Sequence, residues 1–211
     1  MREQSVRTFL LSPAFCGGRR AAILLRPQSE VPIAVRLRDG SLGLGEAFAF
    51  LSGLYFRGKL TYASTFGTTL IITPTRGLLP PETPVTIDLL REFASVDVSA
   101  DDPRYRQPLE RDAHALAARL PDDATVVLLG SVATGKYADV LTRVFGTRLH
   151  YPATFIGRGD MSRGGLLLRS ASSGIELEYA VLEAGATRRG PRPPKLPPLV
   201  VHMRLGERHR T

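Results

Sequence analysis

Thr125-Val126-Val127-Leu128-Leu129 is the stretch that decides the fold: five residues, β-branched or leucine, with no polar alternation. Such a run suits a strand covered on both faces, which is the habit of parallel sheets. It is followed by Gly130-Ser131-Val132-Ala133-Thr134-Gly135-Lys136, and then by Tyr137, Val140, Leu141, Val144 and Phe145 at helical spacing, closed by Gly146. A further strand at about 148–155 completes a β-α-β unit, which calls for a right-handed crossover. Immediately upstream, residues 105–120 place Leu109, Ala113, Leu116, Ala117 and Leu120 on one side of a helix, and Glu110, Arg111, His114 and Arg119 largely on the other. That amphipathic helix is expected to cover the sheet.

The same pattern extends outward in both directions. Phe9-Leu10-Leu11 is a short strand closed by Ser12-Pro13, with Gly17-Gly18 turning the chain into a helix at Ala21–Leu25. Residues 46–66 carry apolar groups at spacings of three and four, broken near Gly53 and Gly58, which predicts two helices or one kinked helix with Arg57 and Lys59 on its polar side. Leu70-Ile71-Ile72 is another buried-type strand, stopped by Thr73-Pro74 and followed by a loop stiffened by Pro80 and Pro81. Residues 86–95 suit a short helix or an irregular edge. Near the end, Leu166-Leu167-Leu168 and Ile175–Tyr179 flank Ser172-Ser173-Gly174, a pattern that predicts a terminal β-hairpin. The expected fold is therefore α/β: a mostly parallel sheet flanked by helices, one domain over 1–185, ending in that hairpin and a tail over 186–211.

Composition narrows the class. With 43% hydrophobic and 23% charged residues, the 211-residue chain can bury a real core. No run approaches the roughly 18 apolar residues needed to cross a bilayer, and residues 1–7 lack the apolar stretch of a signal peptide, so a cytoplasmic protein without membrane contact is expected. A single cysteine, Cys16, excludes an internal disulfide, and four histidines supply too few ligands for a Cys/His zinc site, so neither metal nor cofactor is expected. The net charge of +8 is unevenly spread: seven basic residues and one acid lie in 186–211, giving that segment +6. Its centre, Arg188–Pro198, is rich in proline and must be extended. Such a tail reads as a solvated linker or as an arm for nucleic acid or another polyanion.

Four loops follow apolar strands, and because ligands in open α/β sheets bind beyond the carboxyl ends of the strands, the four are expected to converge on one crevice. The first holds Ser12, Gly17 and Gly18, with Cys16 read as packing rather than as a nucleophile because no histidine stands in these loops to act as its base. The second holds Arg76, a candidate phosphate contact. The third, Gly130 and Ser131 through Lys136 and Tyr137, has the glycine, four residues, glycine, lysine spacing of a phosphate-binding loop. Tyr137 replaces the serine or threonine that would ligate magnesium, so a looser anion contact or a tight structural turn competes with a nucleotide triphosphatase. The fourth, Gly157–Gly165, combines Arg158, Asp160, Ser162 and Arg163, suited to gripping phosphate or carboxylate and to accepting from a base or ribose hydroxyl. Glu46 and Asp160 are the candidate catalytic acid or base; Glu46, Arg57 and Lys59 either form surface ion pairs, the simpler reading, or line the crevice wall. No glycine, any residue, serine, any residue, glycine elbow is present, so a serine hydrolase of that form is not expected.

Leu10–Gly18, Thr73–Pro80, Val126–Gly130 followed by Tyr137, and the late glycine loop at 157–165 together resemble uncharacterised bacterial proteins related to the YaaA peroxide-stress family, in order over about residues 8–170. Lys136 and the doubled arginines fall outside that pattern. The resemblance implies an α/β fold and a connection to nucleic acid, nucleotides or modified bases, and it carries over no catalytic residue. The expected function is binding of a nucleotide, nucleoside or nucleic-acid base in the crevice, including action on a base or glycosidic bond. The alternative is a non-catalytic nucleic-acid-binding or interaction module that works through the basic tail. The sequence does not decide between enzyme and binding protein, nor the oligomeric state.

Overall fold

The computed structural model describes residues 7–133, 135–183 and 190–194. The chain begins with β1 (Arg7–Leu11), closed at Ser12-Pro13, and enters α1 (Arg19–Leu24) and α2 (Pro32–Arg38), the latter started by a proline whose missing amide costs nothing at a first helical position. Helices α3 (Leu44–Ser52) and α4 (Leu54–Phe66) are separated by Gly53, whose φ of 69° an L side chain rarely adopts. Strand β2 (Gly67–Ile72) follows, then β3 (Leu78–Leu79) and α5 (Ile87–Ala94), capped by Thr86 accepting from the Leu89 amide. The long α6 (Pro103–Arg119) leads to β4 (Val126–Leu129), α7 (Gly135–Phe145), β5 (Leu149–Pro152), α8 (Asp160–Ser173) and β6 (Tyr179–Val181).

The strands form one sheet in the order β3-β2-β1-β4-β5-β6. β2, β1, β4 and β5 run parallel, and β3 and β6 are antiparallel edges. Leu11 pairs with Ile71 on one side and Leu129 on the other, so the 9–11 and 126–129 runs form its centre. Side chains alternate across it. Phe9, Leu11, Val127 and Leu129 face one core with α1–α5 and α8, whereas Leu10, Val126 and Leu128 face a second core with α6 and α7. Burial on both faces explains why these strands show no polar alternation.

Two expectations need correction, and one segment without an expectation gains an element. Residues 166–168 are not a strand, because α8 runs unbroken from Asp160 to Ser173. No terminal hairpin forms there: β6 begins later, at Tyr179, and pairs with β5. The physical reason is the glycine pair. A Cβ on Gly58 would lie 2.6 Å from the Gly164 carbonyl, and one on Gly164 would lie 2.8 Å from the Leu54 carbonyl. The glycines are thus the crossing point of α4 and α8 rather than a loop signature. Lys59 does not lie on a solvent-facing side of α4: it is 1% exposed. Finally, the 26–43 segment, for which the sequence reading offers no element, contains the helix α2.

The chain's last described strand is tied back to its first helical layer. Tyr62 Oη and Tyr179 Oη lie 2.5 Å apart, the Leu177 amide donates to Tyr62, and Arg7 pairs with Glu176 at 2.7 Å. Of the tail read at 186–211, residues 190–194 are described and the remainder lies outside the described residues. No helix among the described residues is long and apolar enough to cross a membrane.

Candidate functional site

The helix after β1 packs on one face of the sheet and the helix after β4 on the other. Their connecting loops therefore part company, and adjacent parallel strands whose loops diverge leave a crevice at their carboxyl ends. A cleft of about 640 Å³ lies there. The β1 loop contributes Ser12 to Cys16, α7 contributes Lys136 and Tyr137, and Pro74 enters from the β2 loop. The opposite wall is the 93–99 segment joining α5 to α6.

Beneath this cleft is a polar cluster. The Lys59 Nζ lies 2.6 Å from the Ser12 carbonyl oxygen and 2.8 Å from Ser12 Oγ. It also lies over the rings of Tyr55 and Phe56, at 4.8 and 4.5 Å from their centroids. Among the described residues no carboxylate is within ion-pair distance of it. Burial drives the ammonium down to about 7, with the charge of Asp160 opposing the drop. The Tyr137 hydroxyl accepts from the Ser131 amide at 2.9 Å, and burial pushes its phenol up while hydrogen bonding to Ser12 and Ser131 opposes the shift. Gly130 lets these groups meet: a Cβ there would lie 2.9 Å from both Ser12 Cβ and Tyr137 Cε2. Cys16, 3% exposed, has its thiol pushed up to about 12 by burial, so it packs as a neutral group.

The residues singled out in the sequence fall into separate places. Ser12, Lys136 and Tyr137 line the cleft, with Gly130 and Ser131 directly behind them and Gly17 and Gly18 next to the exposed Phe15 ring. The phosphate-loop spacing at 130–136 has a different local use. The Ser131 amide is spent on Tyr137, the Ala133 amide on Ser131 Oγ, and a Cβ on Gly135 would strike the Asp139 carboxylate, which places negative charge at the start of α7. Arg76 is held by Glu92 in a two-pronged pair at 2.7 and 2.5 Å. Glu46 is gripped by Arg36 at 2.6 and 2.7 Å, which holds its carboxyl below the usual range, and it lines a different cavity with Arg20 and Arg57.

The fourth loop does not open into the same cleft. Arg158, Asp160 and Ser162 line a second cavity of about 780 Å³, walled on the far side by Arg192-Pro193-Pro194. Arg158 donates there to Thr154, Ser162 and Pro194 oxygens. Arg163 points inward: Nε and Nη2 donate to the Phe155 carbonyl at 3.2 and 3.1 Å, and Nη1 reaches Asp160 at 3.4 Å. What sequence reasoning misses is the burial of Lys59, read there as a polar-side residue, and the 93–99 wall. The signal for Lys59 was present, since it falls in step with Tyr55, Phe56, Tyr62 and Ala63 on the buried side of α4.

Compared with known proteins, the chain matches no family model, no curated protein and no solved structure.

Proposed function

We propose that the chain binds a nucleotide, nucleoside or nucleic-acid base in the cleft between the β1 and β4 loops. The observation that carries this reading is the position of the cleft at the point where the order of parallel strands reverses, the usual place for such ligands in an open α/β sheet. Its volume of about 640 Å³ falls in the range of small-molecule sites. Phe15, 75% exposed at the rim, offers a face on which a base can stack, and the exposed Lys136 offers a cation to a phosphate. The resemblance to relatives of the YaaA family points the same way. Titration calorimetry with a panel of bases, nucleosides and nucleotides tests it. Binding that weakens in Phe15→Ala and, for phosphorylated ligands, in Lys136→Ala is the expected result, and a panel in which nothing binds overturns the reading.

A second reading is favoured by one observation, the +6 concentrated in residues 186–211. In it the tail grips a polyanion, and affinity for DNA or RNA falls steeply with salt and on deletion of 186–211. Unchanged affinity after that deletion returns the role to the core.

A further inference from the structure

We propose that Ser12 is a nucleophile and Lys59 its general base, so that the cleft carries out acyl transfer from an uncharged ester or thioester. This goes beyond ligand binding and does not depend on it. The geometry has three parts. Ser12, on the cleft wall, presents its Oγ 2.8 Å from Lys59 Nζ, inside the reach required for proton transfer. Lys59 is 1% exposed and is screened by the rings of Tyr55 and Phe56, so it can exchange a proton with Ser12 without becoming a nucleophile itself. Both Ser12 and Lys59 are fixed: the Lys59 amine is also anchored on the Ser12 carbonyl at 2.6 Å, and Tyr137 is packed against Ser12 across Gly130.

The groups facing Lys59 keep it available as a base. From its own helix come the Tyr55 and Phe56 rings, and from β1 come the two Ser12 oxygens. From α8 the charge of Asp160 acts on it, favouring the protonated form, but the Asp160 side chain is 68% exposed and burial wins. Arg163, on α8, and Tyr137, on α7, stand around the neighbouring Tyr55. A lysine used this way takes the place that histidine holds in the commoner serine enzymes. That is why the absence of a glycine-flanked serine does not bear on Ser12, which stands instead in Leu11-Ser12-Pro13 at a strand end.

The chemistry balances without a co-reactant. As Ser12 Oγ forms its bond to the acyl carbon, its proton passes to the neutral Lys59 amine. The bond from the acyl carbon to the leaving oxygen or sulfur breaks, and that atom takes the proton from Lys59. Water then gives a proton to Lys59 and adds to the acyl carbon. The bond to Oγ breaks and Oγ recovers the proton. Ala14, Phe15 and Cys16, which follow Ser12 along the cleft wall, give the body of an acyl group an apolar surface to lie against.

A fluorophosphonate probe applied to the full chain, with the adduct weighed and mapped by mass spectrometry, tests the assignment. The expected result is a single adduct on Ser12, formed at a rate that rises with pH through a midpoint near 7 as Lys59 loses its proton. Lys59→Met should slow labelling by about 100-fold or more, the lower end of what a positioned base supplies, and Ser12→Ala should abolish it. Absence of a Ser12 adduct in the natural chain at every pH overturns the proposal, as does an equal rate in a folded Lys59→Met variant. If that variant does not fold, the pH profile of the natural chain decides, and a flat profile between pH 6 and 9 overturns it. Nucleotide binding with no labelling would sink this proposal and leave the binding reading standing.

Discussion

Replacing Lys59 with methionine removes the titrating amine while keeping an unbranched side chain of similar reach. Burial lowers the lysine from 10.5 to about 7. Between those two values the unfolded chain holds a proton that the folded chain does not, so stability rises with pH across the window, by about 1.4 kcal/mol per unit. Below about pH 7 both states are protonated and the full penalty of the buried charge is present. Above 10.5 both are neutral and it vanishes. Over the whole window the effect amounts to about 4 to 5 kcal/mol, a large share of the stability of a typical domain. Methionine also leaves the Ser12 carbonyl without its donor, at a cost of about 1 to 3 kcal/mol that does not vary with pH. The two terms are of comparable size, so the slope rather than the sign at one pH is the decisive quantity. Urea unfolding of both proteins from pH 6 to 9 should show the natural chain gaining about 2 to 3 kcal/mol on Lys59→Met between pH 7 and 9. Parallel curves would refute the claim that the fold suppresses this charge.

Three other outcomes follow from the packing. Gly58→Ala should lower stability by about 1 to 3 kcal/mol, since its Cβ meets the α8 backbone at 2.6 Å, whereas Gly159→Ala, with nothing within 4 Å, should lose only the roughly 0.5 to 1 kcal/mol of an alanine at a helix N-cap. Equal melting of the two would mean that α4 and α8 do not cross at the glycine pair. Phe15→Ala should change stability by no more than about 0.5 kcal/mol because the ring is 75% exposed, so any loss of ligand affinity it causes reflects contact rather than unfolding. Cys16, neutral up to about pH 12 in the folded chain, should react with a disulfide reagent at pH 8 only as fast as the protein opens. Rapid stoichiometric reaction of the folded protein would contradict its burial.

Hydrophobic pattern was enough for the centre of the sheet, because Phe9–Leu11 and Val126–Leu129 are buried on both faces and carry no competing signal. It was also enough for the α3–α4 break, where Gly53 both lowers helix propensity and supplies the positive φ the turn needs. It failed at α8 for the converse reason. Gly164 and Gly165 argue locally for a loop, and only the approach of α4, more than a hundred residues earlier in the chain, explains why a small residue is required at 164. The site was half legible. The β1 and β4 loops could be placed by strand topology, but Arg76, Glu46 and Arg163 are each taken by a tertiary partner, Glu92, Arg36 and the Phe155 carbonyl, that no local pattern announces. The burial of Lys59 is not legible from its residue type, because a lysine on a helix is by default a surface residue, even where aromatics stand three and four positions away.

The strand order has a consequence for how the protein is made. β1 lies between β2 and β4, yet β4 begins only at Val126. A nascent chain that has emerged through α4 can already bring Lys59 to Ser12, which is 47 residues away. It cannot close the other edge of Phe9–Leu11 until the ribosome has released some sixty residues more. During that interval an apolar strand presents an unpaired edge, the feature most prone to join another chain. Translational pauses between α4 and β4 should therefore be the most hazardous for yield, and pauses after β6, when every parallel strand has both its neighbours, the least.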